Sequence, residues 1–280
     1  MYRHLTTQED VDREYNPRLG IPDVDALMAA WTDRSVAARR RLASRTGLRF
    51  GPTLAEWVDV FPAERAGAPI HVFIHGGYWR AFSASDFSFV AESAVARGYA
   101  AVIVNYALCP QVSLTEIVRQ TRAALAWTWT NAASFGGDAG RIVVSGHSAG
   151  GHLAARVAAT GWRRDYGLPD DLVKAILPIS GLFDLEPIRR CWLQPVLAIS
   201  ADEVLEHSPI RRLPDLRLPA VVAVGGLETS EFRRQSRDYA AALPGAEYLE
   251  LSGRHHVDIL DDLADPAGTL WRRIEQMIPA

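Results

Sequence analysis

Gly146-His147-Ser148-Ala149-Gly150 sets a serine between two glycines, each two residues away. It follows the apolar run Arg141-Ile142-Val143-Val144-Ser145 and opens a segment, Ser148–Ala159, that reads as helix. Gly-x-Ser-x-Gly between a strand and a helix is the pattern of a nucleophile elbow. Such a turn is too tight for a Cβ at either flank, which is why glycine is needed there. The corner lifts the hydroxyl clear of the backbone at a helix N-terminus, where unpaired N–H groups and the helix dipole favour negative charge. A serine that attacks an acyl carbon passes through an oxyanion, so these surroundings suit acyl transfer.

The pentapeptide does not decide the matter alone, because similar patterns occur in glycine-rich turns. A second element, His75-Gly76-Gly77-Tyr78-Trp79, follows another β-like run, Ile70-His71-Val72-Phe73-Ile74. A His-Gly-Gly loop after an early strand can supply the other half of an oxyanion hole. Gly76, Gly77 and Ala149 are the expected donors. The alternative is a plain Gly-Gly turn, but the two elements in this order favour a hydrolase. Tyr78 and Trp79 come directly after the glycines. Their rings are expected either to line the pocket of an aromatic substrate or to pack beneath the loop.

A serine nucleophile needs a base, and the base needs an orienting acid, in the chain order serine, acid, histidine. Of the eight histidines only His255 and His256 fall after the last long strand-helix unit, in Ser252-Gly253-Arg254-His255-His256-Val257-Asp258. Spacing leaves both open. Val257-Asp258-Ile259-Leu260 reads as the start of an inward-packed helix, which favours His256 and makes His255 its neighbour. The acid belongs on the loop after Ala220–Gly225, where Glu228 is favoured. Glu231 would already face along the next helix as a carboxylate stabilised by its dipole, and Asp238 lies deeper on that helix. His147 is expected to turn back into the fold, His152 to brace loops and His75 to shape the glycine loop. His4, His71 and His207 carry no site signal. Nothing has metal-ligand spacing and no phosphate-binding glycine motif is present, so neither a metal nor a cofactor is expected.

These residues need a scaffold that brings distant loops to one edge. Strands are expected at Ala55–Phe61, Ile70–His75, Ala101–Tyr106, Arg141–Ser145, Lys174–Ser180, Ala220–Gly225 and Glu247–Leu251. Several are continuous apolar runs, as in strands buried on both faces of a parallel sheet. Helices are expected between them: through Leu114, Ile117, Val118, Thr121 and Leu125, and at Ser148–Ala159, Ser230–Ala242 and Pro266–Ile278. Strand-helix alternation of this kind means one doubly wound, mostly parallel α/β sheet of about eight strands in a single domain, 1–280. Residues 1–50 read as a polar helical extension, with helical stretches at Val24–Trp31 and Ser35–Ala43, that packs on the sheet or covers the site. Residues 181–219 read as a small cap insertion.

Composition narrows the class. The 280 residues are 48% hydrophobic, ample for a core, and the net charge of −3 argues against a nucleic-acid footprint. Lys174 is the single lysine and heads a strand, at the end opposite to where open α/β sheets carry their sites. A Schiff-base or Ser-Lys mechanism is thereby disfavoured. The two cysteines, Cys109 and Cys191, make neither a disulfide framework nor a zinc site. No run approaches membrane-spanning length and no signal-peptide core opens the chain, so a soluble cytoplasmic protein is expected. The expected partner is a small-molecule acyl substrate, an aromatic amide or ester, with no nucleic acid and no membrane; a homodimer is left open.

The motifs resemble those of the α/β-hydrolase fold, in its hormone-sensitive-lipase-like branch, and within it most resemble the serine-hydrolase kynurenine formamidases (arylformamidases). His75-Gly76-Gly77-Tyr78-Trp79 is similar to that family's loop, and Gly146 to Leu153 to its elbow. Asp12 to Arg18 is similar to its N-terminal segment, and Ser180 to Leu185, Glu206 to Pro209 and Gln235-Ser236 to later landmarks. The resemblance implies a Ser148–His256–Glu228 triad, with Gly76, Gly77 and Ala149 as oxyanion donors. It also implies removal of a formyl group from an arylamide such as N-formylkynurenine, with a broader carboxylesterase or amidase as the alternative and a non-catalytic binding protein as the third reading. The family usually has aspartate where this chain has Glu228.

Overall fold

The computed structural model describes residues 2–278. Eight strands, β1 (Arg45–Arg49), β2 (Trp57–Phe61), β3 (Ala68–Ile74), β4 (Ala100–Val104), β5 (Gly137–His147), β6 (Ala175–Ile179), β7 (Val221–Gly225) and β8 (Glu247–Leu251), form one sheet. Their order is β1-β2-β4-β3-β5-β6-β7-β8. Strand β2 runs antiparallel to β1 and β4, and every other pairing is parallel.

The apolar runs at β3, β4, β6 and β7 are buried along their whole length. Their side chains alternate between two cores, as the period of two requires. Val72, Val102, Val144 and Val222 meet one core, and Phe73, Ile103, Val143 and Ala223 meet the other. Eleven α-helices occur among the described residues: α1 (Gln8–Glu14), α2 (Val24–Arg41), α3 (Val90–Ala96), α4 (Leu114–Asn131), α5 (Ala149–Ala158), α6 (Trp162–Tyr166), α7 (Gln194–Leu197), α8 (Ala201–His207), α9 (Ser230–Ala242), α10 (Ile259–Ala264) and α11 (Thr269–Met277). Helices α4, α5 and α9 feed the first core through Ile117, Leu153 and Tyr239. Helices α2, α3, α10 and α11 feed the second through Trp31, Val90, Ile259 and Trp271.

Two expectations need correction. The stretch 1–50 is not wholly helical, because Arg45-Thr46-Gly47-Leu48-Arg49 pairs with β2 as the mostly exposed edge strand β1. An edge strand with one half-buried side chain carries no apolar run to read. The two helical stretches near residue 30 are one helix, α2. The helix expected at Pro266–Ile278 is α11, which starts three residues later at Thr269; the separate short helix α10 precedes it, and Leu270 N–H donates to the Asp262 carboxylate across the turn between them. The segment 181–219 holds α7, α8 and 3₁₀ turns but no strand.

Candidate active site

Strand β5 ends at His147 and α5 begins at Ala149, leaving Ser148 alone at the corner with φ 57° and ψ −118°. A non-glycine residue held there is strained unless its surroundings fix it. They do so: Ser148 N–H donates to the Ile179 carbonyl at the end of β6 (2.8 Å). A Cβ on Gly146 would lie 2.1 Å from the Gly150 carbonyl oxygen, and one on Gly150 would lie 1.9 Å from that of Ile74. The flanking glycines are therefore required by backbone contacts that cannot yield.

The His75–Trp79 loop lies over this corner. A Cβ on Gly76 would come within 3.1 Å of Ser148 Cβ, and Gly77 has φ 105°. Tyr78, Trp79 and Phe82 also have positive φ, so this short turn holds three of the eight such non-glycine residues found among the described residues. His75 Nδ1–H donates to the Gly76 carbonyl (2.8 Å), since a carbonyl can only accept. Burial pushes the His75 imidazole down to about 4. Its ring stacks on Tyr106 at 4.2 Å, and the Tyr106 hydroxyl donates to the His75 carbonyl (2.9 Å). His75 thus shapes the glycine loop.

His256 and Glu228 meet across the ends of β7 and β8. His256 Nδ1 lies 2.6 Å from Glu228 Oε2. Glu228 Oε1 accepts from Ser180 Oγ (2.5 Å) and from Gly225 N–H (2.7 Å), so both carboxylate oxygens are engaged. The imidazole is flanked by Phe232 (4.7 Å between ring centres) and His147 (4.6 Å). His147 Nε2–H donates to the His256 carbonyl (2.8 Å), and burial holds His147 well below the usual imidazole range, hence neutral. Ser148 and His256 open onto the same pocket but are not hydrogen bonded to one another; such a contact is often made only with substrate bound.

The residues left open by spacing separate here. His255 is occupied by its own loop: its Nδ1 accepts from Val257 N–H and Asp258 N–H (3.1 Å each). Glu231 is buried, accepts from Tyr15 Oη (2.6 Å) and pairs with Arg234 (2.7 Å), while Asp238 also pairs with Arg234. His152 braces the insertion by donating Nε2–H to the His207 carbonyl (2.8 Å). Lys174 pairs with Asp171 just before β6, at the far end of the strand from Ser148.

The pocket measures about 370 Å³. Gly76, Gly77, Ser148 and His256 form one wall, Met28, Trp31, Phe82 and Phe87 an apolar one, and Trp192 and Leu193 of the 181–219 segment another. Pro17, Arg18 and Arg80 complete the mouth. Tyr78 lines it as well, but its hydroxyl donates to the Tyr15 carbonyl (2.7 Å) and so anchors the N-terminal segment. Trp79 is a correction. It is fully buried and packs edge-on against His152 (5.0 Å, 89°), beneath the loop rather than in the pocket. Sequence reading missed Trp31, Ser180, Arg80 and the role of His147. Arg80 had a local signal in its place directly after the glycine-loop motif, His147 in its place in the elbow, and Ser180 only as the start of a stretch similar to a family landmark.

Sheet order, elbow and glycine loop define an α/β-hydrolase. Within that class the chain belongs to the BD-FAE family, whose model matches residues 59–209. It is 29% identical to the kynurenine formamidase of Danio rerio over 94% of this chain and 92% of that protein. It is 28% identical to the kynurenine formamidase of Salmo salar over 92% of each. A crystal structure from Silicibacter sp. TM1040, described as that of a candidate thioesterase, matches with a TM-score of 0.86 at 29% identity, over 96% of this chain and 99% of that one. The protein is thus a hydrolase related to the kynurenine formamidases, as its motifs led one to expect. Among the described residues no helix is long and apolar enough to cross a membrane.

Proposed function

We propose that the protein removes a small acyl group, formyl above all, from an arylamide such as N-formylkynurenine, through Ser148, His256 and Glu228. One observation carries the triad reading: the Glu228 carboxylate, fixed by Ser180 and Gly225, holds His256 Nδ1 at 2.6 Å in the pocket that Ser148 enters. Ser148 Oγ attacks the acyl carbon while His256 Nε2 takes its proton. Glu228 holds the imidazole tautomer and stabilises the imidazolium. The oxyanion is received by N–H groups of Gly77 and Ala149, with Gly76 beside them. His256 then gives its proton to the departing arylamine as the C–N bond breaks. Water repeats the attack on the acyl-enzyme, and formate leaves. The aromatic wall of Trp31, Phe82 and Phe87 supports an aryl leaving group.

A broader short-chain carboxylesterase or amidase on the same residues is the second reading, supported by a mostly apolar pocket that would accept an ester equally. Rates on N-formylkynurenine and on p-nitrophenyl acetate and butyrate decide between them. The formamidase reading expects the higher kcat/KM on N-formylkynurenine, and the reverse order favours the esterase. Ser148→Ala should lose about 10⁴–10⁶ in kcat on every substrate. Retention of most activity would remove Ser148 from the mechanism.

A further inference from the structure

The turn that shapes the glycine loop also aims a cation at the pocket. Arg80 N–H donates to the Gly77 carbonyl (3.0 Å), which fixes where the Arg80 side chain starts. Its guanidinium lies 5.8 Å from the centre of the Trp192 ring, and both side chains line the pocket with Ser148 and His256. Among the described residues no carboxylate pairs with Arg80. Arg18, the other cation on the wall, is paired with Asp25. Glu228, the acid of the proposed triad, already engages both its oxygens with Ser180, Gly225 and His256. Apart from Arg80 itself, the wall of Gly76, Gly77, Ser148 and His256, with His147 beside it, and the paired Arg18, the lining is aromatic or aliphatic. A ligand that fills this pocket with an aromatic ring meets one uncompensated charge, and it is positive.

We infer that Arg80, steadied by Trp192, is a carboxylate-binding subsite, so that the preferred substrate is an aromatic acyl compound carrying a carboxylate several bonds from the scissile bond. This rests on the proposed role of Ser148 in the same pocket. Arginine suits the task because its planar fork meets both oxygens of a carboxylate while its face stays on an indole ring. Trp192 is 45% exposed, so the subsite sits at the mouth and is partly screened by water. The expected effect is therefore moderate.

The test compares 3-(4-acetoxyphenyl)propanoate with its carboxamide, two acetate esters that differ at the remote end only. The wild type should prefer the acid. Arg80→Gln should lower the acid-to-amide ratio of kcat/KM by about tenfold, mainly through KM, the size expected for one lost charge-assisted hydrogen bond. Arg80→Lys should keep part of the preference, and Arg80→Glu should invert it. Added salt should raise KM for the acid in the wild type more than in Arg80→Gln. An unchanged ratio in Arg80→Gln, with an unaltered melting temperature, overturns the subsite. If the ester pair shows the Arg80-dependent ratio while N-formylkynurenine is left untouched, the formamidase reading fails and the subsite stands.

Discussion

Glu228 does more than hold a histidine. One oxygen accepts from Ser180 and Gly225 N–H while the other faces His256 Nδ1, so the carboxylate is locked at one end and used at the other. The extra methylene relative to aspartate is what lets one side chain start three residues after Gly225 and still span these partners. Glu228→Gln should therefore fold but lose about 10³–10⁴ in kcat, because an amide turned to keep the Ser180 and Gly225 bonds offers Nδ1 a donor and selects the wrong imidazole tautomer. Glu228→Asp should also lose activity, since the shorter chain must give up either the lock or the histidine. Wild-type kcat in either variant would show that His256 needs no orienting acid here. At this scale the local motifs were readable: Ser148, Gly76, Gly77 and the choice of Glu228 all lie in short stretches tied to a strand end. Ser180 and His147 were not, because they act on partners 48 and 109 residues away. The choice of His256 over His255 likewise turns on side-chain direction, which spacing does not encode.

The elbow works only if β3, β5 and α5 touch through bare backbone. Gly150, on the first turn of α5, would with any side chain drive a Cβ to 1.9 Å from the Ile74 carbonyl at the end of β3 and 2.6 Å from that of His75. Both oxygens belong to backbone that also carries the glycine loop, so the strain cannot be absorbed without moving Gly76 and Gly77. Gly150→Ala should destabilise the protein by about 1–3 kcal/mol or more, the range for overpacking a rigid contact, and should cost activity beyond that loss. Equilibrium urea unfolding gives the first quantity and kinetics on the surviving folded enzyme the second. A midpoint equal to the wild type's would mean that α5 slides off β3 freely. The central strands were legible because parallel strands buried on both faces must be apolar throughout, as β4 and β7 are. Strand β1 escaped notice because an exposed edge needs no such run. The pocket wall from α2 was equally hidden: Trp31 reaches Phe87 (5.2 Å) and His147 (6.2 Å) only through the tertiary fold.

Across the whole molecule, four histidines, His71, His75, His147 and His152, are buried as neutral rings. Burial pushes His71 down to about 3 and His75 down to about 4, and holds His147 and His152 well below the usual range. In the unfolded chain each returns to a value near 6.5. Between about pH 6.5 and pH 4 the unfolded state therefore binds protons that the folded state refuses, and the folded state loses stability as the pH falls. The stabilisation is complete above pH 6.5 and declines on acidification until the folded values are reached. Each such histidine is expected to cost on the order of 2 kcal/mol between pH 7 and pH 5, so the group as a whole could exhaust the stability of an ordinary domain. Because His75 shapes the glycine loop and His147 holds the His256 carbonyl, this acid loss should remove activity and fold together. Urea midpoints at pH 7, 6 and 5, read alongside residual activity after return to pH 7, provide the check. The midpoint should fall steeply with pH, and His71→Gln should show a shallower slope whatever its absolute stability, because one proton-binding difference is gone. A midpoint that stays level from pH 7 to pH 5 would mean that these rings take up protons in the native state, and with it the neutral His147 and His75 hydrogen bonds on which the site is built would have to be redrawn.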